Sequence, residues 1–108
     1  MKIAITSTGG SLTAQMDSRF GRCAYFVIYD TETKKFNAFS NPASAFSGGA
    51  GPAAARELVK NKVDVLITGN VGTNAEQALN AAGIKVVTTL TGTVQDVIDA
   101  FQKDIGAR

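Results

Sequence analysis

The sequence predicts an α/β fold: one five-stranded mixed sheet in the order 3-2-1-4-5, with the second strand antiparallel and helices on both faces. Strand-type runs stand at Lys2–Thr6, Tyr25–Tyr29, Lys35–Ser40, Val63–Thr68 and Ile84–Leu90. Helical patterns alternate with strands only after Pro52. The second and third strands are joined by the polar turn Asp30-Thr31-Glu32-Thr33-Lys34 and form a hairpin, whereas the later βαβ units require parallel strands and right-handed crossovers.

Lys2–Thr6 is short and apolar, and Ser7-Thr8-Gly9-Gly10-Ser11 ends it in small polar residues. No period of 2 or 3.6 fits Leu12–Arg22, which reads as a long loop, and long loops in compact domains are usually functional. Tyr25–Tyr29 is β-branched and aromatic; Lys35–Ser40 alternates around Phe36 and Ala38 until Asn41-Pro42 stops it. Ala43–Gly51 is a small-residue loop, and Pro52 suits the first position of a helix to Asn61 with an inner face of Ala54, Ala55, Leu58 and Val59. In Val63–Thr68 only Asp64 interrupts the apolar run, as in a strand covered on both faces. Thr73-Asn74-Ala75-Glu76 fits a capping box for a helix ending at Gly83. Thr93 caps the last helix, where Val94, Val97, Ile98 and Phe101 share one face; the polar tail Lys103–Arg108 reads as a fraying end.

At 108 residues and 44% hydrophobic, the chain suits a single domain over 1–108 with one core. A net charge of +2 without a Lys/Arg block argues against nucleic acid, and no apolar run reaches signal-peptide or membrane-span length, so a cytoplasmic protein is expected. One cysteine, Cys23, rules out an intramolecular disulfide or an all-cysteine metal site in one chain. The absence of histidine removes the commonest metal ligand and the usual general base, and with it the usual nucleophilic triad.

The predicted strand order sets the first and fourth strands side by side with connections leaving in opposite directions, which is where open α/β sheets bind ligands. Four small polar loops converge on that rim: Ser7–Ser11, Ser47–Gly51, Gly69–Gly72 and Thr91–Thr93. Ser47-Gly48-Gly49-Ala50-Gly51 empties into a helix N-terminus, an arrangement that receives anions through free amides. Arg19 and Arg22 flank Phe20-Gly21 nearby and supply forked, permanent positive charge. Phe20 reads as an anchor for the loop, Gly21 as a close approach to the sheet edge, and Asp17 as a counter-ion that orients the arginines. Asn70 offers an amide after the fourth strand. Cys23 and Met16 are weak candidate metal ligands, each more simply read as core filler. There is no GxxxxGK[ST], no GxGxxG after the first strand and no acidic pair for magnesium on the rim.

Met16-Asp17-Ser18-Arg19-Phe20-Gly21-Arg22 with Tyr25-Phe26, and Gly48-Gly49-Ala50-Gly51-Pro52-Ala53-Ala54, resemble the dinitrogenase iron–molybdenum cofactor biosynthesis family. Gly69-Asn70-Val71-Gly72, Ala81-Ala82-Gly83-Ile84-Lys85-Val86 and Gly92-Thr93-Val94 continue the resemblance in the same order along nearly the whole chain. It implies a ribonuclease H-like motif in a three-layer α/β/α sandwich. Many members carry a histidine before Phe-Gly-Arg where this chain has Arg19, which makes it more similar to the orange-protein branch, whose members hold a molybdenum–copper sulfide cluster without covalent bonds. The resemblance implies a carrier rather than an enzyme, binding an anionic molybdenum-containing metal–sulfur cluster (Mo–Cu sulfide or FeMo-cofactor-like), with cluster-assembly proteins and an ATPase as partners. The expected cleft combines Arg19, Phe20, Gly21 and Arg22 with Ser47, Gly48, Gly49, Ala50 and Gly51 and with Gly69, Asn70 and Val71. Such a cluster is saturated by its own sulfides and needs only amides, arginines and a partly apolar cleft. Two other classes fit the same loops: an enzyme or sensor for a phosphate-bearing molecule or nucleotide, and a ligand-free protein–protein adaptor.

Overall fold

The computed structural model of the protein describes residues 1–106, with side chains through Lys103. Its strands are β1 (Lys2–Ser7), β2 (Tyr25–Asp30), β3 (Lys35–Ser40), β4 (Val65–Ile67) and β5 (Lys85–Val87). Its helices are α1 (Ala50–Lys60), α2 (Thr73–Ala81) and α3 (Val94–Gly106), preceded by a 3₁₀ turn at Pro42–Ala45. The sheet order is β3-β2-β1-β4-β5. β2 runs antiparallel to both β1 and β3, with Ile5 opposite Val27 and Phe26 opposite Phe39, while β1, β4 and β5 are parallel.

Because side chains alternate along a strand, the sheet sends two sets of apolar residues to opposite faces. Ala4, Phe26, Ile28 and Leu66 meet Ala54, Ala55 and Leu58 of α1 and Ala75 and Leu79 of α2. Ile3, Ile5, Val27, Val65 and Ile67 meet Val94, Val97, Ile98 and Phe101 of α3. The result is the three-layer sandwich.

Several elements differ from the sequence reading. α1 begins at Ala50, two residues early, because left-handed Gly49 (φ 70°) serves as its N-cap and the Ala53 N–H already reaches the Gly49 carbonyl at 3.1 Å. Pro52 therefore sits third in the helix, where its missing N–H is still no loss. The inner stripe starts at Ala50, and Val59, expected inside, is 49% exposed. The capping box expected at Thr73 does not form: Gly72 is the N-cap of α2 without a side-chain bond, and the Glu76 N–H reaches the Gly72 carbonyl at 2.9 Å. Thr93 does cap α3, reciprocally with Asp96, whose carboxylate accepts from the Thr93 N–H at 3.0 Å and whose N–H donates to the Thr93 hydroxyl at 3.1 Å. β4 and β5 are three residues each, shorter than the apolar runs that contain them. Of the expected tail, residues 103–106 continue α3, and residues 107–108 lie outside the described residues. No helix among the described residues is long and apolar enough to cross a membrane.

Candidate functional site: a cleft between two helix N-termini

The segment Leu12–Arg22 has no strand or helix of its own but is stitched to the ends of three elements. Single bridges join Ser7 to Met16, Gln15 to Thr93 and Arg19 to Asn70. The Asp17 N–H donates to the Thr6 carbonyl at 2.8 Å, and the Phe20 N–H to the Asn70 carbonyl at 3.3 Å. Phe20 is buried under the loop, its ring 5.8 Å from that of Phe26. The loop thereby crosses the carboxyl ends of β1 and β4 and delivers Arg19–Arg22 to the starts of α1 and α2.

A cleft of ≈ 420 Å³ opens there, lined by Arg19, Phe20, Gly21, Arg22, Ala50, Gly51, Pro52, Asn70, Gly72, Thr73, Asn74 and Ala75. Two glycines allow the walls to meet. A Cβ on Gly21 would lie 2.8 Å from the Gly51 nitrogen, so Gly21 approaches the first turn of α1 rather than the sheet edge expected of it. A Cβ on Gly51 would lie 3.0 Å from the Ala75 Cβ, which sets the two helix starts side by side. Neither helix has a side-chain cap. The first-turn N–H groups of a helix have no intrahelical partner, so Ala50 and Gly51 in α1 and Thr73, Asn74 and Ala75 in α2 present bare donors at the positive ends of two dipoles.

The side chains reinforce that sign. Arg19 is 67% exposed but its guanidinium is held by nearly buried Asp17, with Nε 3.2 Å from Oδ1 and Nη2 3.2 Å from Oδ2. Burial pushes the Asp17 carboxyl up, yet hydrogen bonds from the Arg19 side chain and backbone, with the Arg19 charge, outweigh it and leave the group below the usual carboxylate range. The same bonds and charge hold the Arg19 pKa above its ordinary value. Arg22 donates to the carbonyls of Ser44, at 3.4 Å, and Phe46.

Asn41, whose sequence context predicts only a strand stop, is a hub. Its buried Nδ2 donates to the carbonyls of Gly21 (3.2 Å) and Cys23 (3.1 Å), and its Oδ1 accepts from the Ala43 N–H at 3.0 Å. The signal was present, since Asn before Pro is a common cap for a short helical turn. Cys23 is fully buried, its thiol donating to the Phe20 carbonyl at 3.2 Å. Burial, aided by the Asp17 charge, pushes that thiol up to about 12. Met16 packs on the α3 face and Cys23 on the α1/α2 face, so the two sulfurs cannot share a ligand. Among the described residues no three Cys, Asp or Glu side chains come together as a metal site.

Of the residues expected at the cleft, Arg19, Phe20, Gly21, Arg22, Ala50, Gly51 and Asn70 line it. Ser47, Gly48 and Gly49 lie exposed on the approach to α1, Gly69 backs onto Ser18, and Val71 packs against the core. The loops Ser7–Ser11 and Thr91–Thr93 contribute nothing to it; the Gly92 carbonyl instead accepts from the Met16 N–H at 2.9 Å. Gly72, expected on the rim within Gly69–Gly72, lines it as well. Pro52, Thr73, Asn74 and Ala75 are additions to the expected set; for the three α2 residues the reason is that a Thr73 cap would close amides that are in fact open.

The sequence profile of the family described as "Dinitrogenase iron-molybdenum cofactor" matches residues 1–104. The chain belongs to that family. Among solved structures, it is similar to the apo form of the orange protein from Desulfovibrio gigas, at 44% identity over 95% of this chain and 88% of the other, with a TM-score of 0.91. It is also similar to a NifB-like protein from Thermotoga, at 42% identity over 94% of this chain and 87% of the other, with a TM-score of 0.83. No curated protein matches the chain. In this member of the dinitrogenase iron-molybdenum cofactor family, the donors at the cleft are main-chain amides, guanidinium groups and the side chains of Asn70, Thr73 and Asn74.

Proposed function

We propose that the protein binds and carries an anionic molybdenum-containing metal–sulfur cluster, without covalent bonds to the chain and without catalysing a reaction. The observation that carries this reading is the pairing of two uncapped helix N-termini beside Arg19 and Arg22. The donor set suits such a cargo. Amides and guanidinium groups donate to sulfides and neutralise charge but cannot coordinate a metal. The one thiol is buried and protonated, and the chain has no histidine. A cluster already saturated by sulfide asks for what the cleft holds; a bare metal ion does not.

Family membership and the orange-protein likeness support a cluster-related role, and the donor chemistry favours a sulfide-saturated anion over a metal bound by side chains. On this reading, the working partners in the cytoplasm are cluster-assembly proteins and an ATPase. Adding tetrathiomolybdate with Cu(I) to the protein should produce visible charge-transfer bands in a protein-bound fraction, and Arg19→Ala with Arg22→Ala should weaken uptake at least about tenfold, as expected when charged donors are lost. Uptake unchanged in that double variant would refute the reading. Micromolar nucleotide binding by equilibrium dialysis, without metal, would replace it with a phosphate-binding role at the same amides.

A further inference from the structure

We infer that Asp17 is a positioning residue, holding Arg19 as a fixed fork so that binding anions do not have to order it, an assignment that rests on the cleft being an anion site. The chain of contacts starts in the sheet. Thr6 and Thr68, at the carboxyl ends of adjacent β1 and β4, are fully buried hydroxyls 2.8 Å apart. The Thr6 hydroxyl also donates to the Asp17 carbonyl. A carbonyl only accepts and a hydroxyl has one proton, so Thr68 is the donor to Thr6. With the Asp17 N–H bonded back to the Thr6 carbonyl, the Asp17 backbone is pinned to the sheet from both sides. Valine at either threonine would fill the same space without burying a hydroxyl, a group that is costly to bury unless bonded.

The carboxylate passes that rigidity to Arg19. Oδ1 accepts from the Arg19 N–H at 2.9 Å and from Nε, and Oδ2 accepts from Nη2. Of the five guanidinium hydrogens, both on Nη1 and the second on Nη2 remain for a ligand. An exposed arginine otherwise loses rotamer freedom on binding, which weakens affinity by about two- to tenfold.

Asp17 also has an opposite effect, because its negative charge near an anion site repels the ligand. Positioning and repulsion therefore predict opposite signs, which makes the assignment testable. The full chain is titrated with tetrathiomolybdate and, separately, with inorganic phosphate, as wild type, Asp17→Asn, Arg19→Ala and the double variant, with the Arg19 Nε–H followed by NMR. The inference expects Asp17→Asn to weaken binding about three- to tenfold and to abolish the protected Nε–H signal. In the Arg19→Ala background the same substitution should not weaken binding, and relief of repulsion should tighten it. Equal or tighter binding by Asp17→Asn alone, or the same loss in both backgrounds, overturns it. Should Asp17→Asn not fold, Arg19→Lys keeps the charge but removes the two-point grip; binding equal to wild type then overturns the inference. Wild type that takes up phosphate but not tetrathiomolybdate rejects the metal–sulfur reading while leaving Asp17 tested on phosphate; wild type that takes up neither rejects both.

Discussion

Single residues divide into those whose role their chemistry announces and those whose role depends on what folds over them. Asp17 and Arg19 belong to the first group, since a carboxylate two residues from an arginine in an irregular loop has few other partners. Cys23 belongs to the second: the sequence left it between ligand and filler, and only its complete burial decides the matter. The raised thiol pKa has a stability consequence. In the unfolded chain the thiol ionises near 9.0, whereas the folded one holds its proton to about 12. Stability from this group is thus intact below pH 9 and falls between pH 9 and 12 by up to about 1.4 kcal/mol per pH unit. Urea unfolding across that range should show the loss in wild type and a shallower slope in Cys23→Ala. Gly21 marks another residue-scale limit. A methyl there would press on the Gly51 nitrogen at 2.8 Å, whereas one on Gly48 would meet nothing within 4 Å. Gly21→Ala should therefore cost about 1–3 kcal/mol in thermal or urea unfolding and weaken anion binding, with Gly48→Ala near neutral in both.

At the scale of elements, apolar patterning and turn signals find the three helices and five strands of the described residues, and place both ends of β3 and the Thr93 cap of α3, but misplace the starts of α1 and α2 and overextend β4 and β5. The ends are where the site lies. A propensity reading gives Thr73 the cap of α2, but the chain starts that helix one residue earlier on Gly72, leaving its amides open. Gly72 has an ordinary extended conformation (φ -69°) and open space where a side chain would go. Gly72→Asp should therefore stabilise the protein by about 0.5–1 kcal/mol, by capping α2 and restricting the unfolded chain. It should also abolish anion uptake, because its carboxylate takes the donors and adds negative charge. A rise in melting temperature together with lost uptake is the expected result; a rise with uptake intact would show that the α2 amides are not the receptor. Lys62 offers a comparison remote from the cleft. It follows the C-cap of α1 at φ 59°, a conformation that favours glycine, so Lys62→Gly should raise stability by about 0.5–1 kcal/mol and leave uptake unchanged.

For the molecule as a whole, the strand order was legible because a hairpin followed by βαβ units leaves few sheets to build. That order also points to the edge where the candidate cleft opens, at the carboxyl ends of β1 and β4. It could not say which loops close on that edge, since that depends on long-range contacts: Arg19 beside Asn70, Gly21 against Gly51, and Asn41 holding Gly21 and Cys23. Loops equally small and polar at Ser7–Ser11 and Thr91–Thr93 were drawn to the α3 side by Gln15 and Met16. The proposed receptor is made mostly of main chain, biased positive by two arginines. The most direct test is an amide-resolved NMR titration with tetrathiomolybdate at low ionic strength. The account predicts that the largest shifts fall on the N–H groups of Ala50, Gly51, Thr73, Asn74 and Ala75 and on the Arg19 side chain, and that added salt reverses them. Shifts centred on Ser7–Ser11 or Thr91–Thr93, or on Cys23 with the helix starts unmoved, would contradict it.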